Sequence, residues 1–319
     1  MAFAKLERGA RCWQIDRWTA EVVTALRADG IHPVLLKGPA TARWLYPDLA
    51  DRPYCDIDLM VSPSQLAGAQ QVLRRIGYAE PLHPKWLLPH ARCWVRPADG
   101  SKVDLHRTLH CMEATPIEDV WEAVTTGAEK LVVGGISVDI PGPAVRALHL
   151  VLHLAPNEDP MSQASKDLRR AMEQVDRQAW QSAASLARRL GVDGDMGQRL
   201  CHTSDGAHLA HELGLPRVGS LRSSLISGTG RSEVSPRVYA LWCLDSKTTL
   251  RAKVRWILQR QFPSRRFMEE VYPRARDGRF WLTASYLLRA LESCTRVPGA
   301  VAEWNRFQRK LDRRSRVSG

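Results

Sequence analysis

The 319-residue chain has no apolar run of 18 residues, so no membrane-spanning helix is expected. Its amino-terminal stretch, MAFAKLERGARCWQ, lacks the apolar core of a secretory signal, and none is expected. Cysteine is scarce and unpatterned. Seven residues, at positions 12, 55, 93, 111, 201, 243 and 294, form no CxxC pair. An odd, scattered set reads as reduced thiols in a cytoplasmic protein, not as a disulfide framework or a zinc site. Internal repeats and low-complexity tracts are also missing. With 44% apolar and 25% charged residues, the composition excludes a largely disordered chain, a collagen-like chain and a coiled-coil fibre.

Positive charge is in surplus, and it is unevenly placed. The formal net charge is +12. Residues 251–319 hold 17 Lys or Arg against 6 Asp or Glu, so this end carries nearly all of the excess. Such a region is a candidate surface for phosphates, nucleic acid or an acidic substrate; the plainer reading is a solvated basic face.

Periodicity divides the chain. Ile15, Trp18, Val22, Val23 and Leu26 mark a helix over 12–28, ended by Gly30. Pro33-Val34-Leu35-Leu36 has strand length, Lys37-Gly38-Pro39 breaks it, and 40–46 reads as a helix. Residues 55–61 alternate as a strand does, and Ser62-Pro63-Ser64 starts a helix that runs to Gly77-Tyr78. Two hairpins are expected, 93–95 with 102–106 around Pro97–Gly100, and 130–133 with 136–140 around Gly134-Gly135. After Pro141-Gly142-Pro143 the pattern is almost wholly helical: 144–155, 163–190, 194–213, 234–262, 279–294 and 299–314. The expected fold class is therefore α+β, with a mixed domain over 1–142 and an all-α carboxy-terminal domain over 143–319.

The chemistry gathers in the first domain. On a strand, residues i and i+2 share a face, so Asp56 and Asp58 project together while Ile57 and Leu59 enter the core. Asp104 stands in a second apolar strand between Val103 and Leu105. If the strands are adjacent, three carboxylates meet at one edge, and like charges there call for a cation. Hard oxygen donors suit Mg²⁺, which keeps positions open for phosphate oxygens. Removing Asp58 is then expected to relieve repulsion and to raise stability without metal. Upstream, Lys37 and Gly38 lie between a strand and a helix, where Gly admits a phosphate and the helix N-terminus favours an anion.

Leu35-Leu36-Lys37-Gly38, Leu45-Tyr46-Pro47-Asp48, Arg52, Asp56-Ile57-Asp58-Leu59-Met60-Val61, Gly77-Tyr78 and Asp104-Leu105-His106 together resemble the bacterial family of uncharacterised nucleotidyltransferases within the polymerase-beta-type superfamily. The likeness extends over about residues 20–190, through His149–His153 and Lys166-Asp167-Leu168. It implies a polymerase-beta-type core with a mixed sheet. Asp56, Asp58 and Asp104 would be metal ligands for two Mg²⁺ ions, with Mn²⁺ the alternative, and Asp104 would also be the general base. Lys37 and Gly38 would contact the triphosphate of an NTP such as ATP. Arg52 would bind a phosphate or brace the loop. Many superfamily members have Gly-Ser where this chain has Lys37-Gly38, so phosphate contact falls to Lys37 and backbone amides.

Lys166 and Asp167, opening a long helix, join the nucleotide-side candidates; the alternative is helix-surface charge. His149 and His153 stand at i, i+4 without a third ligand nearby in sequence, and they read as one core residue and one, His153, lining a cleft beside the nucleotide. His208, His211 and Glu212 read as a surface cluster, and most of the eleven Trp as core. The expected activity is Mg²⁺-dependent nucleotidyl transfer to a small-molecule or peptide acceptor with release of pyrophosphate, because members of the resembling family often sit among natural-product and peptide-modification genes. The alternatives are a tRNA or RNA 3′ end as acceptor, or a non-catalytic scaffold of the same fold. Weak RNA binding and no membrane partner are expected.

Overall fold

The computed structural model describes residues 2–80, 90–113, 115–154, 159, 161–201, 203–216, 241, 254, 257, 258, 261, 262 and 265–317. The chain divides into two compact units, Met1–Ser220 and Leu221–Gly319. Within the first unit the last described strand ends at Ile140, and described helices between Pro143 and Glu212 share a buried cluster with one face of the sheet.

The first unit begins with α1 (Ala2–Ala28). It starts earlier than its apolar stripe, and residues 5–8 ahead of that stripe are exposed. Its buried face is Cys12, Ile15, Val22, Val23 and Leu26. Then come β1 (Val34–Leu35), α2 (Pro39–Leu45), β2 (Ile57–Met60) and α3 (Leu66–Arg75). Next are β3 (Ala91–Val95), β4 (Lys102–His106), α4 (Ile117–Thr125), β5 (Glu129–Val133) and β6 (Ile136–Ile140). Both expected hairpins form, β3 with β4 and β5 with β6.

These strands make one six-stranded mixed sheet in the order β3-β4-β2-β1-β6-β5. β2 runs antiparallel to β1 and parallel to β4. Strand alternation sorts side chains into two cores. Leu35, Ile57, Leu59, Val103 and Leu105 pack with α1 and α3, while Val34 and Met60 join the helices on the other face. Each fully buried Ile or Leu contributes roughly 1.5–3 kcal/mol, so a one-residue slip of β2 would be costly.

The helical remainder of the unit is α5 (Pro143–Leu152), α6 (Gln163–Gln174), α7 (Arg177–Arg189), α8 (Asp193–Leu200) and α9 (Ser204–Glu212). The helix expected over 163–190 is broken: Val175 is extended, and the Asp176 side chain caps α7 by accepting from the Ala179 amide. Likewise Thr203 caps α9 and splits the stretch 194–213. α4 was not anticipated. Its signal is Pro116, an acidic first turn and buried Val120, Ala123 and Val124 at i, i+3, i+4.

The second unit contains α10 (Arg265–Val271) and α11 (Arg279–Val317). The two helices expected over 279–294 and 299–314 are one, which passes through Pro298. Most of the expected helix 234–262 lies outside the described residues. No helix among the described residues is long and apolar enough to cross a membrane.

Candidate active site

The site begins at the turn after β1. Gly38 has φ 60°, a left-handed conformation that favours glycine, and it caps α2 with Pro39 in the first turn. The turn is tightly bonded within itself: the Ala40 amide donates to the Lys37 carbonyl at 3.2 Å and the Ala42 amide to the Gly38 carbonyl at 3.0 Å. Pro39 has no N–H, and α2 is only seven residues long, so charge at this turn comes chiefly from Lys37.

Beside it run the two acid-bearing strands. Asp58 of β2 is the direct register partner of Asp104 of β4, so the two carboxylates share a face of a parallel pair. Asp56 stands two residues before Asp58. The backbone thus places Asp58 and Asp104 on one face of the paired interior strands β2 and β4, with Asp56 just before β2; together they form a carboxylate edge along that pair. They are not gathered about a point: among the described residues, the one set of three His, Cys, Asp or Glu ligand atoms within 4.8 Å of one another lies elsewhere, at His90, His110 and Glu113.

The carboxyls differ in their electrostatic surroundings. Asp58 is buried and bound twice: Lys37 Nζ lies 3.1 Å from its Oδ1, and His106 Nε2 lies 2.9 Å from the same oxygen. Burial alone would raise its pKa, but the Lys37 charge and the His106 hydrogen bond outweigh it and hold the carboxyl below its ordinary value. Asp56 has no such partners. Burial first, then the charges of Asp58 and Asp104, push its pKa up to about 6, only partly offset by Lys37 and Arg52. Asp58 therefore repels Asp56 while being itself bound by Lys37 and His106; the acid without such partners is Asp56. Asp104 receives a hydrogen bond from the Cys93 thiol across the β3–β4 hairpin. Burial, with Asp104 adding to it, raises that thiol to about 12, so it stays a donor at neutral pH.

Arg52 and Asp167 meet each other. Arg52 Nε and Nη2 donate to Asp167 Oδ2 at 3.1 and 2.8 Å, and Arg52 Nη1 reaches the Gly38 carbonyl at 3.5 Å. The other Asp167 oxygen accepts from the Tyr46 hydroxyl at 2.7 Å and from Gln163 at 2.9 Å. This buried latch joins the Gly38 turn to α6. Lys166, its neighbour, is exposed and lines an open depression of about 430 Å³ with Arg169 and Arg170.

His153 is found in a group of histidines beside Lys37. Its Nε2 lies 2.9 Å from His149 Nε2, and its ring stacks on His110 at 5.2 Å. Burial, with the Lys37 charge next, lowers the pKa of both His149 and His153 well below 6.5, so both rings are neutral at pH 7. In the sequence, His106 reads only as part of the Asp104-Leu105-His106 motif, without a role of its own. It stands two residues after Asp104, on the same strand face, which the period of two could have shown. Trp94 and Trp180 are buried, as expected of core rings, whereas Trp13 is 70% exposed.

A family model described as an uncharacterised nucleotidyltransferase matches residues 10–204, more than half of the chain. No curated protein matches the sequence. Among solved structures, the chain is similar to the antibiotic-resistance factor ANT(2″)-Ia in solution, at 14% identity and TM-score 0.41 over 56% of this chain and 93% of that one. It is similar to ANT(2″)-Ia in complex with adenylyl-2″-tobramycin at 14% identity and TM-score 0.40, over 53% and 94%. An antigenic nucleotidyltransferase-like protein from Paracoccidioides brasiliensis is similar at 16% identity and TM-score 0.36, over 55% and 88%.

Proposed function

The chain belongs to the family of uncharacterised nucleotidyltransferases, and from that premise we propose that it moves a nucleoside monophosphate from an NTP to a hydroxyl or phosphate of a small-molecule or peptide acceptor. The observation that carries this reading is the edge formed by Asp58 in register with Asp104, with Asp56 beside them and Lys37 on Asp58. A scaffold that had lost catalysis has no need for Asp56 held in a place that disfavours its charge.

The donor set fits a hard divalent cation. Three carboxylates supply oxygen only, and the raised pKa of Asp56 marks a group short of positive charge. Asp56, Asp58 and Asp104 would hold Mg²⁺, which when bound neutralises phosphate charge and polarises the reacting phosphoryl group. The remaining steps belong to the chain. Lys37 binds the triphosphate. Arg52, fixed by Asp167, braces the Gly38 turn, and exposed Lys166 adds positive charge near α6 for the nucleotide. The acceptor oxygen attacks the α-phosphorus, the α–β bridging P–O bond breaks, and pyrophosphate leaves. Asp104 takes the hydroxyl proton, and Cys93 keeps its carboxylate oriented. His153, neutral and packed behind Lys37, helps to set the nucleotide side of the cleft.

A small acceptor is favoured because the basic residues of 251–319 are spread through a region rich in apolar residues, without an Arg-rich stripe or an RNA-binding signature. The net charge of that region keeps an RNA 3′ end as the second reading. To test between them, the full chain is incubated with each α-labelled NTP, Mg²⁺, and either a metabolite extract or total RNA. Label on small molecules supports the proposal. Label on RNA 3′ ends, lost in Asp56→Ala, replaces it with the second reading.

A further inference from the structure

A second cluster of ligand atoms lies outside the carboxylate edge. His90 immediately precedes β3, and His110 and Glu113 lie in the loop after β4. One ligand atom from each lies within 4.8 Å of the other two. His90 Nδ1 is 3.8 Å from Glu113 Oε1. His90 and His110 are both more than nine-tenths buried, yet the Nδ1 of each has no hydrogen-bond partner. Buried imidazole nitrogens are normally satisfied, because burial removes the water that would otherwise serve them. Two unsatisfied nitrogens on neighbouring rings, with a mostly buried carboxylate beside them, leave the same need unmet twice next to an anionic oxygen donor.

The backbone holds these groups in place. The Arg107 and Thr108 amides both donate to the His90 carbonyl, at 2.9 and 3.3 Å, which fixes His90 against the end of β4. The loop closes on itself through Met112 N–H to the Leu109 carbonyl at 3.1 Å and Thr108 Oγ1–H to the Met112 carbonyl at 3.1 Å. Between His110 and Glu113, Cys111 adopts φ 66°, which a non-glycine residue rarely does. The ring-to-ring contacts His90–His110 (5.1 Å) and His90–His106 (5.4 Å) place the cluster one ring away from the histidine that binds Asp58.

We propose that His90, His110 and Glu113 form a binding site for a divalent transition-metal ion of the zinc class, separate from the Mg²⁺-type carboxylate edge. Two imidazoles and one carboxylate suit Zn²⁺ and its neighbours, whereas Mg²⁺ prefers oxygen alone. A tetrahedral ion with ligand bonds of about 2.0–2.1 Å needs its ligand atoms about 3.3 Å apart, so closing from within 4.8 Å takes small side-chain rotations. Three protein ligands leave one position for water. Burial first, then His90 and Arg199, lowers the pKa of His110 well below 6.5, so the ring is already deprotonated at neutral pH, as a ligand must be. The ion would cross-link the start of β3 to the loop after β4 and steady the histidines behind Asp58. Cysteine spacing gave no hint of it, because no cysteine is a ligand.

The test uses the full chain, stripped with chelator and held in millimolar Mg²⁺ so that oxygen-only sites are filled. Zn²⁺ is titrated calorimetrically, and Zn-edge X-ray absorption is recorded on the wild-type protein. The expected result is one tight Zn²⁺ equivalent, a first shell of nitrogen and oxygen with imidazole scattering, and affinity at least tenfold weaker in Glu113→Gln and in His110→Asn that fold normally by circular dichroism. Absence of Zn²⁺ binding above background in the folded wild-type protein overturns the site. So does an all-oxygen or sulfur-containing shell, or unchanged affinity in the two variants. Because the spectrum needs no variant, a variant that fails to fold leaves the test intact. Because the readout is metal binding, it is independent of nucleotidyl transfer.

Discussion

Replacing Asp56 by Asn should stabilise the protein in the absence of divalent metal. Asp56 is the acid without a close cationic partner, and its pKa rises from 3.8 to about 6 through burial and then through Asp58 and Asp104. A carboxyl whose pKa is raised by folding costs no stability below its unfolded value and costs most above its folded value. The penalty therefore grows between pH 4 and 6 and is complete at pH 7. At 1.36 kcal/mol per unit, and allowing for partial exposure, it is on the order of 2 kcal/mol. For a unit of 220 residues this corresponds to about 4–8 °C in midpoint. The assay is thermal or urea unfolding of wild type and Asp56→Asn in EDTA at pH 4, 5, 6, 7 and 8. The gain should be absent at pH 4, full at pH 7, and reduced or reversed by millimolar Mg²⁺. A variant less stable than wild type at pH 7, or a gain of equal size at pH 4, would refute the reasoning.

Asp58→Asn should act in the opposite direction, because it leaves the buried His106 and the partly exposed Lys37 facing a neutral amide; a loss of about 2–3 kcal/mol in urea unfolding at pH 7 is expected. Asp167→Ala breaks four hydrogen bonds of the buried latch and should cost about 3–5 kcal/mol, with Asp167→Asn milder, as chemical denaturation will report. Lys37→Ala should weaken NTP–Mg²⁺ binding by at least tenfold in calorimetry while leaving acceptor binding nearly unchanged; an unaltered NTP affinity would assign Lys37 to holding Asp58 alone.

What could be read from the sequence was local. The alternation around Asp56-Ile57-Asp58 fixed which side chains face the core, and the β3–β4 and β5–β6 hairpins announced themselves through Gly and Pro turns. Adjacency of β2 and β4, on which the carboxylate edge depends, was foreseen only as a condition, since parallel pairing between distant strands leaves no local mark. The Arg52–Asp167 latch spans 115 positions and could not be read from either neighbourhood. The His90, His110 and Glu113 cluster was invisible for the same reason, while His149 and His153 drew attention through spacing alone. Helix breaks at Val175 and Cys201 were missed because Asp176 and Thr203 look like ordinary polar residues until their side chains cap the next helix.

The most direct measurement of the central claim is release of pyrophosphate with matching incorporation of α-labelled NMP into an acceptor pool, by the full chain in Mg²⁺. Wild type should turn over at least one NTP, and Asp104→Asn, folded and still binding NTP, should lose at least a hundredfold in rate. Undiminished transfer by Asp104→Asn, or no transfer by wild type to any small-molecule, peptide or RNA acceptor with any of the four NTPs, would contradict it.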